Sequence, residues 1–81
     1  MIKFLNKRGY YVVKVSLCNK PGFPDLSVCE GRGVVSYIEV KRPGETADPL
    51  QLIRHDELRE YGHTITVADC ISDIDHLYPK R

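Results

Sequence analysis

At 81 residues, with 42% hydrophobic and 28% charged side chains, the chain has the balance of one small soluble globular domain spanning residues 1–81. No apolar run approaches the roughly 20 residues of a membrane span, and nothing reads as a signal peptide, so no membrane role is expected. The net charge of +1 hides an asymmetry: Lys3, Lys7, Arg8, Lys14 and Lys20 all precede Asp25, the first acidic residue. A basic segment beside acids suits a phosphate-backbone ligand; the alternative is a solvated basic edge.

Met1 to Arg8 reads as a short helix with Ile2 and Leu5 on one side, ended by Gly9. Tyr10 to Ser16, rich in Tyr and Val, reads as a first strand, and Asn19-Lys20-Pro21-Gly22 as a turn. Asp25 to Glu30 and Val34 to Lys41 read as an antiparallel hairpin through Glu30-Gly31-Arg32-Gly33. Next comes the clearest helix, with Asp48 as N-cap, Pro49 in the first position and Gly62 as terminator. Leu50, Ile53, Leu58 and Tyr61 are its expected packing stripe. His63 to Ala68 is an alternating strand, and Ser72 is the expected cap of a short last helix running to Leu77.

Cys18, Cys29 and Cys70 are odd in number and lack C-x-x-C spacing, which argues against a disulfide framework and a zinc knuckle and fits a reducing cytosol. Cys18 and Cys29 read as buried thiols. His55, His63 and His76 have no paired ligand spacing and read as surface or turn residues.

Chemistry enters with Gly22-Phe23-Pro24-Asp25 and Ile38-Glu39-Val40-Lys41. Period-2 alternation points Glu39 and Lys41 the same way, and the hairpin allows Asp25 to approach Glu39. Asp25 and Glu39 are hard oxygen ligands for Mg²⁺ or Mn²⁺, with the carbonyl of Val40 completing the protein's share, and Lys41 is an ammonium suited to charge developing on a phosphate. Gln51, in the first turn of the following helix, can reach the same place. Each fragment alone is commonly a solvated strand face or a turn; their combination in consecutive strands favours phosphodiester hydrolysis.

These residues resemble the PD-(D/E)xK nuclease superfamily and, within it, the virus-type replication-repair nucleases, VRR-NUC. The match runs through Gly22-x-Pro24-Asp25, Ile38-Glu39-Val40-Lys41, Gln51 with Leu58 seven residues later, and Gly62 before a Val-containing strand, covering about Gly9 to Ala68. The resemblance implies an α/β, restriction-endonuclease-like αβββαβ core with a mixed central sheet flanked by helices. It also implies Mg²⁺ or Mn²⁺ as cofactor and hydrolysis of DNA. Asp25 and Glu39 become metal ligands, Lys41 the catalytic lysine and Gln51 a supporting active-site residue. Stand-alone members look like homodimers acting on branched DNA such as Holliday junctions, encoded by phages or mobile elements and working in the host cytoplasm. One departure stands out: such nucleases usually carry a glutamate in the first helix, and Met1 to Gly9 contains no acid. That departure keeps open an alternative, a non-catalytic DNA-binding module with a nuclease-like fold.

Overall fold

The computed structural model describes residues 1–46 and 48–81. Along the chain lie α1 (Ile2–Lys7), β1 (Tyr11–Lys14), β2 (Leu26–Gly31), β3 (Val34–Val40), α2 (Pro49–Glu60) and β4 (Ile65–Ala68), then a 3₁₀ turn, Ile71–Asp73. The strands form one sheet in the order β1-β2-β3-β4, antiparallel through the first three and parallel between β3 and β4. This is the expected αβββαβ arrangement with a mixed sheet. The parallel pair requires a crossover, and α2 supplies it.

The β2–β3 hairpin turns on Arg32 and Gly33, both with positive φ (55° and 77°). Left-handed central residues match the twist of paired strands, so the two-residue loop sets Gly31 opposite Val34, and a bulge between Cys29 and Gly31 then shifts the register by one residue. Val28 then stands opposite Ser36 and Leu26 opposite Ile38. These positions share one sheet face, where Leu26, Val28, Ile38 and Ala68 meet Leu5 of α1 and Tyr10, Ile74 and Tyr78 in the core.

The C-terminal segment is pinned across α1. Arg8 donates to the Tyr78 carbonyl at 3.0 Å and pairs with Asp75 at 2.7 Å, while the Tyr10 hydroxyl donates to the Pro79 carbonyl at 2.6 Å. The last helix expected from Ser72 is therefore only a 3₁₀ turn. Cys70, not Ser72, precedes it, and the Asp73 carboxylate accepts the backbone N–H groups of Asp69 (3.0 Å) and Cys70 (3.4 Å).

α2 begins as expected: the Asp48 carboxylate accepts the Gln51 N–H at 3.0 Å, and Gln51 Oε1 accepts the Asp48 N–H at 3.2 Å. Its packing face differs from the expected one. Leu50, Ile53 and Tyr61 are exposed, Leu58 is half-buried, and the helix's buried residue is His55. The reason lies beneath it, since this face of β3 carries Glu39 and Lys41. An aliphatic stripe laid on a desolvated carboxylate would leave it without a partner.

Other expectations also shift. β1 and β4 are shorter than the predicted runs at Tyr10 to Ser16 and His63 to Ala68. His63 stays outside the strand, half-buried, and donates Nδ1–H to the Val35 carbonyl at 3.0 Å. Cys18 is exposed in the β1–β2 connection, where its Sγ donates to the Lys20 carbonyl, and Cys29 is only half-buried. An apolar neighbourhood in sequence did not bury Cys18, because the chain leaves the sheet before reaching it.

Candidate active site

The β1–β2 connection delivers Asp25 by docking on α2. The Pro21 carbonyl accepts from Arg54 Nε at 2.9 Å, and a Cβ at Gly22 would meet Leu50 Cγ at 2.9 Å, so only glycine fits there. Phe23 packs edge-on against Tyr37, with 5.3 Å between ring centroids, and Pro24 is fully buried. The backbone of Asp25 is then fixed on one side by the Val15 N–H, which donates to its carbonyl at 2.8 Å.

Extending the hairpin register beyond Leu26 and Ile38 sets Asp25 opposite Glu39. Asp25 Oδ2 accepts the Val40 N–H at 2.8 Å. A strand residue's N–H and C=O point to the same side, so the Val40 carbonyl also faces the β2 side of β3. Glu39 is 1% exposed. Its burial, followed by a hydrogen bond with Asp25 and the negative charge of Asp25, pushes its carboxyl up to about 8 from an ordinary 4.5; Lys41 opposes the shift and Asp48 adds to it.

α2 covers these residues from the other side. His55 Nε2 lies 3.3 Å from Glu39 Oε1, and burial, reinforced by the Arg59 charge, holds the imidazole below its usual range and therefore neutral. The Lys41 ammonium donates to Gln51 Oε1 at 2.5 Å. The structure thus brings Asp25, Glu39, Val40, Lys41 and Gln51 together where β2 begins and β3 ends. The donor set suits a hard divalent ion: two converging carboxyl groups, one kept protonated by burial and then by the other's charge, are a pair whose repulsion on ionisation a cation would offset.

Sequence reasoning missed His55, read as a surface or turn residue but 1% exposed. Its signal was the spacing from Gln51: residues four apart share a helix face, so a glutamine placed over Lys41 carries His55 over the same strand. Nor do the early cations form one strip. Lys14 lines a groove of about 510 Å³ with Met1, Ile2 and Asp25, whereas Arg8 is tied to Asp75. Lys41 and Arg42 line a second opening of about 310 Å³ with Asp69 and Asp73. Asp69, Cys70 and Asp73 also bring possible ligand atoms within 4.8 Å of one another, but all three are exposed and the Asp73 carboxylate already caps the 3₁₀ turn.

A mixed four-stranded sheet with helices on both faces, carrying an acid pair and a lysine at the end of its central hairpin, defines a restriction-endonuclease-like α/β protein. No protein-family model matches the chain. It is 30% identical over 79 residues to "Putative nuclease p44" of Acyrthosiphon pisum secondary endosymbiont phage 1, covering 98% of this chain and 84% of that protein. A solved structure described as a "VRR_NUC domain" superposes with a TM-score of 0.79 at 33% identity, over 93% of this chain and 82% of that one. The chain belongs to the VRR-NUC family.

Proposed function

We propose that this chain is a divalent-metal-dependent endonuclease that hydrolyses phosphodiester bonds in structured DNA, with branched DNA such as a Holliday junction as its substrate class. The phage relative named as a nuclease and the VRR-NUC structure support nuclease activity. The observation that carries the finer reading is the meeting of Asp25, Glu39 and the Gln51-held Lys41 at one end of the sheet.

Asp25, Glu39 and the Val40 carbonyl would hold Mg²⁺ or Mn²⁺. Such an ion supplies Lewis acidity at a phosphoryl oxygen and makes water a stronger nucleophile. Asp25 is anchored by the Val40 N–H, which leaves its other oxygen for binding. Glu39 must give up its proton to serve as a ligand, and its burial makes that loss dependent on a cation. Lys41 places a positive charge, aimed by Gln51, where negative charge builds as the P–O bond to the leaving group breaks. Lys14, in the groove beside Asp25, is suited to a flanking phosphate.

A homodimer is part of this proposal, because two sites related by a two-fold axis suit the two strands of a symmetric junction. Exposed Tyr11 and Val13 on β1 and Leu52 and Ile53 on α2 are apolar surface that a second copy can cover. The proposed setting is the host cytoplasm of a phage or mobile element. The phage source of the relative and the unpaired Cys18, Cys29 and Cys70 support it. Among the described residues no helix is long and apolar enough to cross a membrane.

A second reading, the non-catalytic DNA-binding module, is favoured by one observation: the groove beside Asp25 is lined from α1 by Met1 and Ile2 rather than by an acid. Incubation with labelled junction, flap and duplex DNA in Mg²⁺ or Mn²⁺ separates the two. Metal-dependent cutting of the junction is expected; tight binding without cleavage under either metal would establish the second reading instead.

A further inference from the structure

α2 lies over β3 as the crossover helix, and the two elements match in spacing. Residues four apart on a helix are separated by about 6 Å along its axis. Residues two apart on a strand are separated by about 6.6 Å. One helix face can therefore address one strand face rung by rung. Gln51 and His55 are such a helix pair, and Lys41 and Glu39 such a strand pair.

Both rungs are made, in crossed order as an antiparallel helix requires. Gln51 Oε1 receives the Lys41 ammonium at 2.5 Å, and His55 Nε2 meets Glu39 Oε1 at 3.3 Å. The second rung is the drier, since His55 and Glu39 are each 1% exposed. An imidazole held there has a more demanding role than filling space, because a leucine would pack in its place without the cost of burying ring nitrogens. What leucine cannot do is donate to the carboxylate.

We infer that His55 is a positioning residue for Glu39: its Nε2–H holds one carboxylate oxygen in place and leaves the other for the cation bound with Asp25. This inference rests on the metal-site reading above. His55 touches neither substrate nor cation; it restricts the rotation of a ligand, so that binding does not have to freeze the Glu39 side chain from several rotamers into one.

The test compares Mn²⁺ affinity by calorimetry in the full chain and in the variants His55→Gln, His55→Leu and Asp25→Ala, with melting temperatures measured on each. Glutamine can place an amide N–H close to where Nε2 stands. His55→Gln is expected to bind Mn²⁺ within about threefold of the parent, and His55→Leu about 10–100-fold more weakly while folded. Parental affinity in folded His55→Leu, or equal weakness in the Gln and Leu variants, overturns the inference. Asp25→Ala separates the failures: if it binds Mn²⁺ normally, the metal site itself is misplaced and the inference goes with it. If Asp25→Ala is weak and His55→Leu normal, only the role of His55 is lost. Should His55→Leu not fold, ¹⁵N NMR of the unaltered protein with Mg²⁺ decides. A proton on Nε2 is expected, and a bare Nε2 with the proton on Nδ1 overturns the proposal.

Discussion

Asp25 Oδ2 accepts the backbone N–H of Val40 at 2.8 Å, so a side chain from the start of β2 extends the ladder where its strand no longer pairs. The same carboxylate therefore has a structural bond on one oxygen and, in the proposed site, a ligand role on the other. The two functions can be separated by substitution.

Asp25→Asn keeps a carbonyl oxygen for Val40 and removes the charge. It is expected to fold with nearly parental stability, to bind Mn²⁺ much more weakly and to lose cleavage. Asp25→Ala loses the bond as well and should cost about 0.5–1.5 kcal/mol in addition, read from urea unfolding in chelator. Equal stability of the two variants would show that the Val40 bond contributes nothing.

Lys41 and Gln51 should differ in how they fail. Lys41→Ala is expected to lower kcat by about 10²–10³-fold while folded and still able to bind metal. Gln51→Ala leaves the ammonium unaimed and should slow cleavage on the order of 10–100-fold. It also removes the side-chain half of the capping box, the bond that Gln51 Oε1 accepts from the Asp48 N–H, at a cost of about 0.5–1 kcal/mol of stability, while the Gln51 N–H still caps on Asp48. Wild-type rates in both variants would reject the assignment.

Glu39 predicts a pH dependence. With its carboxyl raised from 4.5 to about 8, the folded metal-free protein holds a proton there that the unfolded chain has released. The stability linked to that proton is fully present below about 4.5 and is lost as pH rises through about 8. A cation displaces the proton, so Mn²⁺ affinity should rise about tenfold per pH unit from about pH 6 to about pH 8 and then level off. Burial, reinforced by the Arg59 charge, holds the His55 imidazole below its usual range and so favours its neutral form. Calorimetry in buffers of different ionisation enthalpy counts the released proton; a flat profile contradicts the prediction.

Tyr78 offers a control remote from the chemistry. Its hydroxyl is 2.6 Å from Ser36 Oγ in the core, so Tyr78→Phe leaves a buried hydroxyl without that partner and should cost about 1–3 kcal/mol. Burial raises the pKa of this phenol, so it stays neutral at working pH. Metal affinity is expected to be unchanged; a large loss would mean that the core and the site are coupled.

Much of the fold was legible because its signals are local. The turn within Glu30-Gly31-Arg32-Gly33, the alternation along Val34 to Lys41 and the Asp48-Pro49 helix start each depend on a few neighbouring residues; the turn forms at Arg32-Gly33, β3 runs Val34–Val40 and α2 starts at Pro49. The hairpin's register was not legible: the turn alone would set Asp25 opposite Val40, and the bulge between Cys29 and Gly31 brings it opposite Glu39. The rotation of α2 was not legible. Leu50, Ile53 and Tyr61 looked like a packing stripe, yet all three are exposed, and Leu50 meets Gly22 rather than the sheet.

The sequence by itself determined the αβββαβ order and the shared direction of Glu39 and Lys41, since strand alternation fixes that direction whatever surrounds them, and it nominated Asp25, Val40 and Gln51 beside them. Only the tertiary structure decided that His55 is interior and Cys18 exterior, that the C-terminal residues are strapped to Arg8 rather than helical, and that Glu39 holds its proton. Those outcomes depend on desolvation and on partners distant in sequence: a buried carboxylate selects the helix face laid over it, and no local pattern records that choice.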